Sequence, residues 1–279
     1  MASPALDHLI LFVPVDPETN LPKVPTFFTK NFILTPGGVH ADGITSNTLI
    51  LFADGCYIEL ISFIDPPKAA SHWWGPDASF VGWKDWCLTN SKTPEENYKS
   101  IKETHDKPVH GGRKRADGVD VKWAVTFPKG ENGGQKTRGR IPFFCHDITH
   151  RSTRVPLSKE NTTHPCGALG ITQLSIIARD QDLLDETKKA LTSLLGEVEL
   201  GGPSFRAARV RDVEGLDSGA KIAVRLPHGE EETETVTTTG FWFGDICLGV
   251  QATGEHEPGT KMRLDLDAED VRGVSLEWV

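Results

Sequence analysis

The chain has 279 residues, 38% hydrophobic and 25% charged, with a net charge of -9. This composition suits a globular protein with a sizeable core and excludes a dominant nucleic-acid partner, which would need a basic face to displace phosphate counterions. No apolar run reaches the roughly 20 residues of a membrane helix, and the opening MASPALDHLILFV lacks the basic segment and cleavage site of a signal peptide. The expected location is therefore the cytoplasm. Five scattered cysteines without a CxxC pair read as reduced, buried thiols rather than a disulfide or zinc framework.

Taken in order, residues 6–13 form a short apolar run suited to a buried strand, and 24–32 a short helix. A glycine-punctuated loop with His40 and Asn47 follows, then strands at 48–53 and 56–63 joined by an Asp54-Gly55 turn. Glu59 is the only ionisable residue in the run Ile58 to Phe63. A carboxylate so flanked is costly to bury unless it is paired, ligates a metal or faces a polar cavity, which makes Glu59 the first candidate. Strand alternation puts Tyr57, Glu59 and Ile61 on one face, and places Leu6, His8 and Ile10 together on the first strand.

The order then repeats. A strand at 80–88 precedes a helix from Pro94, with Thr93 as N-cap and Glu95 and Glu96 in its first turn. After a basic Gly111-Gly112-Arg113 loop come strands at 119–127 and 140–148. The polar stretch 151–165 is read as a module boundary. Beyond it lie a strand at 171–179, an amphipathic helix over 181–195, strands at 205–211, 221–226 and 241–250, and a last one at 274–279. The acidic, Thr-rich run 230–239 is read as an exposed hairpin loop.

The segments Leu6-Asp7-His8-Leu9, Pro36 to His40 with Gly43, Thr45 and Asn47, Tyr57-Ile58-Glu59-Leu60, Asp85-Trp86, Pro142-Phe143-Phe144 and His164-Pro165 resemble the glyoxalase-like domain family of the vicinal oxygen chelate superfamily. The resemblance covers about residues 6–180. It implies an α+β fold of paired β-α-β-β-β modules whose mixed sheet is concave, with helices outside. Residues 1–165 would hold two modules, at about 6–64 and 80–148, and 166–279 a third, degenerate one packed on them.

It also implies a metal site in which the first strand of a module offers His8 and the last offers Glu59, a pair that suits a divalent cation. The second module puts Trp86 where His8 sits and offers Phe144 or His146 on its closing strand. The third puts Gln173 opposite His8 and Cys247 opposite Glu59. A site could be completed by His146, or by Gln173.

His40 on a glycine-rich loop suits acid/base work or merely caps the loop, and Asn47 is a turn residue on its type alone, raised to a site residue by the resemblance. Trp73, Trp74, Trp83 and Trp86 form an aromatic cluster, mostly core or cover, of which one or two could wall an apolar pocket; Trp83 and Trp86, with Phe144 and Gln173, are read as substrate-pocket residues. Arg154 is read as pairing with an acidic side chain, the alternative being that it holds a carboxylate substrate. There is no GxSxG, Walker GxxxxGK[ST], HExxH or Rossmann GxGxxG pattern, so no nucleotide cofactor is expected.

The expectation is an enzyme acting on a small oxygen-rich or aromatic molecule by lyase or isomerase chemistry. A proton would move next to a carbonyl, with His40 or Glu59 as base and a divalent metal or Asn47 on the enolate oxygen. A non-catalytic binding protein and an extradiol-type dioxygenase are the alternatives. A homodimer is compatible with this reading.

Overall fold

The computed structural model describes residues 4–115, 117–196, 204–216, 218–265 and 272–279. Strand β1 (Ala5–Phe12) and helix α1 (Thr26–Asn31) are followed by β2 (Thr35–Val39), β3 (Thr45–Leu51) and β4 (Tyr57–Phe63). The second module repeats this as β5 (Gly82–Thr89), α2 (Pro94–Ile101), β6 (Val109–Lys114), β7 (Asp120–Thr126) and β8 (Phe143–Asp147). The eight strands form one sheet in the order β2-β3-β4-β1-β5-β8-β7-β6. Within it β1 runs parallel to β4 and β5 to β8, while the central pair β1–β5 is antiparallel.

The sheet curls until its two edges meet. His40 and Arg113 form an antiparallel bridge, and the Ala41 amide donates to the Gly112 carbonyl at 2.9 Å. This corrects two expectations: residues 35–39 and the Gly111-Gly112-Arg113 stretch are edge strands rather than loops. Their glycines serve close packing. A side chain at Gly37 would overlap the Asn47 amide, and one at Gly111 would sit 2.6 Å from the Trp123 indole nitrogen.

β1 is buried along its whole length because both faces are covered. Leu9 and Leu11 join a core shared with α1, α2 and the C-terminal sheet, whereas Ile10 and Phe12 point inside the curl. A bulge between Leu6 and His8 sends Leu6 to the outer core and His8 inward. Helix α2 begins with the expected Thr93 cap, a full capping box with Glu96, and Pro94 in its first turn.

Short helices α3 (Arg151–Arg154) and α4 (Lys159–Thr162) occupy the stretch read as a boundary. The remaining elements are β9 (Ala168–Ala178), α5 (Gln181–Leu195), β10 (Ser204–Ala207), β11 (Ala220–Arg225), α6 (Gly229–Thr239), β12 (Phe241–Val250), β13 (Lys261–Arg263) and β14 (Val274–Trp278). They build a second, six-stranded sheet in the order β10-β11-β9-β12-β14-β13. Helix α5 buries Leu184, Thr187, Leu191 and Leu194, as its periodicity requires.

Helix α6 replaces the expected hairpin loop. Glu230, Glu231 and Glu232 lie in its first turn, where the helix dipole favours negative charge, and Glu232 pairs with Arg225 at 2.6 Å. Its threonines return hydrogen bonds to carbonyls four residues earlier, and Val236 is buried. Among the described residues, no helix is long and apolar enough to cross a membrane.

Candidate active site

The curl of the first sheet encloses a cavity of about 280 Å³. Its floor is made by inward residues of β1, β3 and β4: His8, Asn47, Tyr57 and Glu59, with His40 at the end of β2. Trp73, Trp74, Trp123, Val125 and Phe143 supply apolar wall, and Arg113, His110 and His72 also line the space.

Glu59 is the centre of the polar set. Its Oε1 accepts a 2.6 Å hydrogen bond from Asn47 Nδ2 and lies 3.5 Å from His40 Nε2, and its Oε2 lies 3.6 Å from His8 Nε2. Burial pushes the Glu59 carboxyl up, but hydrogen bonds from His40 and Asn47 and the two imidazoles outweigh it and bring its pKa down to about 2. It is ionised at neutral pH. Asn47 is itself fixed, since its Oδ1 accepts from the Gly38 amide at 3.0 Å.

Both histidines are held from behind. His40 Nδ1 is 2.6 Å from Thr45 Oγ1, and His8 Nδ1 is 2.7 Å from Asp7 Oδ2. Asp7 is fully buried between Arg151 at 2.6 Å and Arg154 at 2.9 Å. Burial raises the Asp7 carboxyl, yet the two guanidinium groups hold it well below the usual carboxylate range. A carboxylate accepts only, so His8 Nδ1 is the donor and Nε2 faces Glu59. Arg154 also binds Asp147 at 2.6 Å and donates to the Tyr57 hydroxyl at 2.7 Å, while the Tyr57 ring stacks on His8. Arg154 thus pairs with acids, as expected, and it is buried where it also lines the cavity.

The structure brings His8, His40, Asn47 and Glu59 into one cavity and places the other candidates elsewhere. In β8, Phe143 and Cys145 face the cavity, so alternation turns Phe144 and His146 outward; His146 Nε2 meets Asn90 Oδ1 at 3.2 Å. Trp86 and Trp83 lie in the outer core, where their indole nitrogens donate to the carbonyls of Gly139 and Arg272. Gln173 belongs to the second sheet, paired with Asp245 and Lys261. Cys247 stands opposite Gln173, the place Cys87 takes opposite His8, and not the place of Glu59.

Asp7, His8 and Cys87 bring donor atoms within 4.8 Å of one another. They do not suit a cation, because two guanidinium groups already neutralise Asp7 and burial pushes the Cys87 thiol well above its ordinary pKa. His8 Nε2 and His40 Nε2 lie to either side of the Glu59 carboxylate, at 3.6 and 3.5 Å. Of the aromatic cluster, Trp73 and Trp74 line the cavity, while Arg113, Asp7 and Trp123 were not singled out as site residues from the sequence. The one local sign was an aspartate beside His8 in an otherwise apolar run.

Two β-α-β-β-β modules joined through an antiparallel central pair, with the site inside the curl, define a vicinal oxygen chelate protein. The glyoxalase-like domain family model matches residues 6–195, and the chain belongs to that family. Compared with curated proteins, the chain has no significant match. Among solved structures it is similar to a hypothetical protein from Staphylococcus aureus, at 15% identity and TM-score 0.60 over 99% of both chains. It also matches a hypothetical protein from Bacillus halodurans C-125 at 16% identity and TM-score 0.35, covering 53% of this chain and 98% of that one. A xylose isomerase-like TIM barrel/4-hydroxyphenylpyruvate dioxygenase fusion protein matches at 10% identity and TM-score 0.48, over 91% of this chain and 37% of that one.

Proposed function

We propose that this chain is an enzyme that moves a proton at a carbon next to a carbonyl, on a small aromatic or oxygen-rich molecule held in the first-sheet cavity. The observation that carries this reading is the buried, ionised Glu59 set between two histidines in a largely apolar chamber. A carboxyl with a pKa of about 2 is a weak base at neutral pH, so Glu59 serves as the fixed charge, and His40 in its neutral form, with Nε2 unprotonated and 3.2 Å from Asn47 Nδ2, takes the proton at Nε2 and returns it. Glu59 stabilises the imidazolium that forms, and Thr45 fixes the ring from its other side.

Two imidazoles and a carboxylate are the donor types a divalent cation takes, so the proposal extends to a cation at the same residues. With Nδ1 of His8 and His40 held by Asp7 and Thr45, both Nε2 atoms and the Glu59 carboxylate would hold it. When bound, the cation would polarise the substrate carbonyl and stabilise the enolate oxygen.

The test is solvent deuterium exchange, followed by NMR, at the carbon beside the carbonyl in a panel of aryl-substituted 2-oxo and 2-hydroxy compounds, with and without added Mg²⁺, Mn²⁺ and Zn²⁺. At least one compound should exchange, and His40→Ala should slow it by about 10² to 10⁴. Compounds that bind but never exchange would replace this reading with sequestration.

A further inference from the structure

We propose that Arg113 is a carboxylate anchor, so that the molecule taken into the cavity is a small carboxylic acid with an aromatic or apolar body. The inference rests on the cavity being the substrate site, as proposed above, and names the substrate class.

Three arginines are buried among the described residues, and two of them face acids. Arg140 lies 3.9 Å from Glu186, and Arg154 binds Asp7 and Asp147. Arg113, 6% exposed, lines the cavity, donates to the Gly37 carbonyl at 3.2 Å and forms no ion pair among the described residues.

A guanidinium keeps its charge at any physiological pH, and burying it without a counter-charge is unfavourable. Desolvation pulls the Arg113 pKa down, with Glu59 only partly opposing it. A ligand carboxylate supplies the missing partner through the planar fork that guanidinium presents. Glu59 does not take that place: it forms no ion pair with Arg113, and its contacts run to Asn47 and the two histidines.

The walls complete the specification. Trp73, Trp74, Trp123 and Phe143 offer aromatic surface for the rest of the ligand, and a volume of about 280 Å³ admits only a small one. Arg113 also clips β6 to β2 through Gly37, so the test must separate anchoring from a purely structural role.

Matched pairs of aryl acids and their primary amides, from benzoate and benzamide to 3-phenylpropionate and 3-phenylpropanamide, provide the probes. Binding is read by quenching of tryptophan fluorescence and by saturation-transfer NMR. At least one acid should bind the wild type about tenfold or more tightly than its amide. Arg113→Met should bring that acid to the level of its amide while the amide keeps its affinity, and Arg113→Lys should retain part of the preference. The proposal is overturned if no acid binds, if acid and amide bind alike, or if Arg113→Met weakens both equally while lowering the melting temperature, the mark of a clip alone. Acids that bind through Arg113 without any proton exchange would uphold the anchor and remove the proton-transfer reading. Exchange confined to neutral carbonyl compounds would do the reverse.

Discussion

The two sheets share one pairing scheme and differ in what they enclose. In each, an antiparallel central pair is flanked by parallel partners: β4–β1–β5–β8 in the first, β11–β9–β12–β14 in the second. The first continues with two more strands on either side and the second with one. Only the longer sheet has the edge strands β2 and β6 that meet at His40 and Arg113 and close the curl. Against the shorter sheet packs α6, through the buried Val236.

Chemistry follows the same division. Gln173 stands where His8 does, each opposite a cysteine, but the place of Glu59 is taken by Ala223. The polar groups of the second sheet satisfy one another: Asp245 accepts from Ser175 at 2.7 Å and Gln173 at 3.2 Å, and Lys261 donates to Gln173 Oε1 at 3.3 Å. In the first sheet Arg113 and the histidine edges are left facing empty space large enough for a ligand. With a shared strand scheme, the candidate site lies in the sheet that closes, where Arg113 lines the cavity with no ion pair among the described residues.

The largest expected effect tests the buried charge beneath the first sheet's floor. Asp7→Ala leaves Arg151 and Arg154 without their shared carboxylate and should lower stability by about 3–5 kcal/mol in urea denaturation. A loss below 1 kcal/mol would show that Asp147 alone carries both guanidiniums.

Next comes a pH effect, also confined to the first sheet. Burial brings His105 down to a pKa of about 4, with its Nε2 against the Pro142 carbonyl at 3.0 Å. The unfolded chain takes up this proton near pH 6.5 and the folded one only near 4, so His105 makes stability fall as pH drops from 6.5 towards 4. Between pH 7 and 5, His105→Gln should remove about 2 kcal/mol of that loss, measured against wild type in parallel denaturation curves. Asp54 and Asp85, which burial raises to about 6, act with the opposite sign in part of this window. The mutant-minus-wild-type difference isolates the histidine.

The smallest effect belongs to the second sheet. Asp245 is 34% exposed and its Arg225 contact is 3.5 Å, so Asp245→Asn should change stability by less than about 1 kcal/mol and leave ligand binding in the first cavity untouched. A larger change would mean that the two sheets are not so different in their charge economy.

Much of this molecule was legible without coordinates. Helix α5 and the capped start of α2 follow from periodicity and end residues, which act within a few positions along the chain. The shared cavity of His8 and Glu59 follows from strand alternation, with one local correction at the Leu6/His8 bulge. Helix α6 was missed because its one buried apolar residue, Val236, gives no periodic signal and its stability comes from the sheet beneath it.

By itself, then, the sequence determined the recurring strand-helix-strand order of its first half, the inward placing of His8 and Glu59, and the local helix ends, because each depends on neighbours a few residues away. The tertiary structure alone decided whether Phe143 or Phe144 faces the cavity, since a one-residue register choice against β5 turns every side chain of β8 over. It also decided that the glycine stretch 111–113 pairs as an edge strand, that His40 meets Arg113 across the closing sheet, and that this arginine is left without an acid among the described residues. The meeting of His40 with Arg113 and the Arg113 bond to Gly37 join segments some 70 residues apart, where no local pattern carries the information, whereas β6 itself pairs with β7, the next strand along the chain.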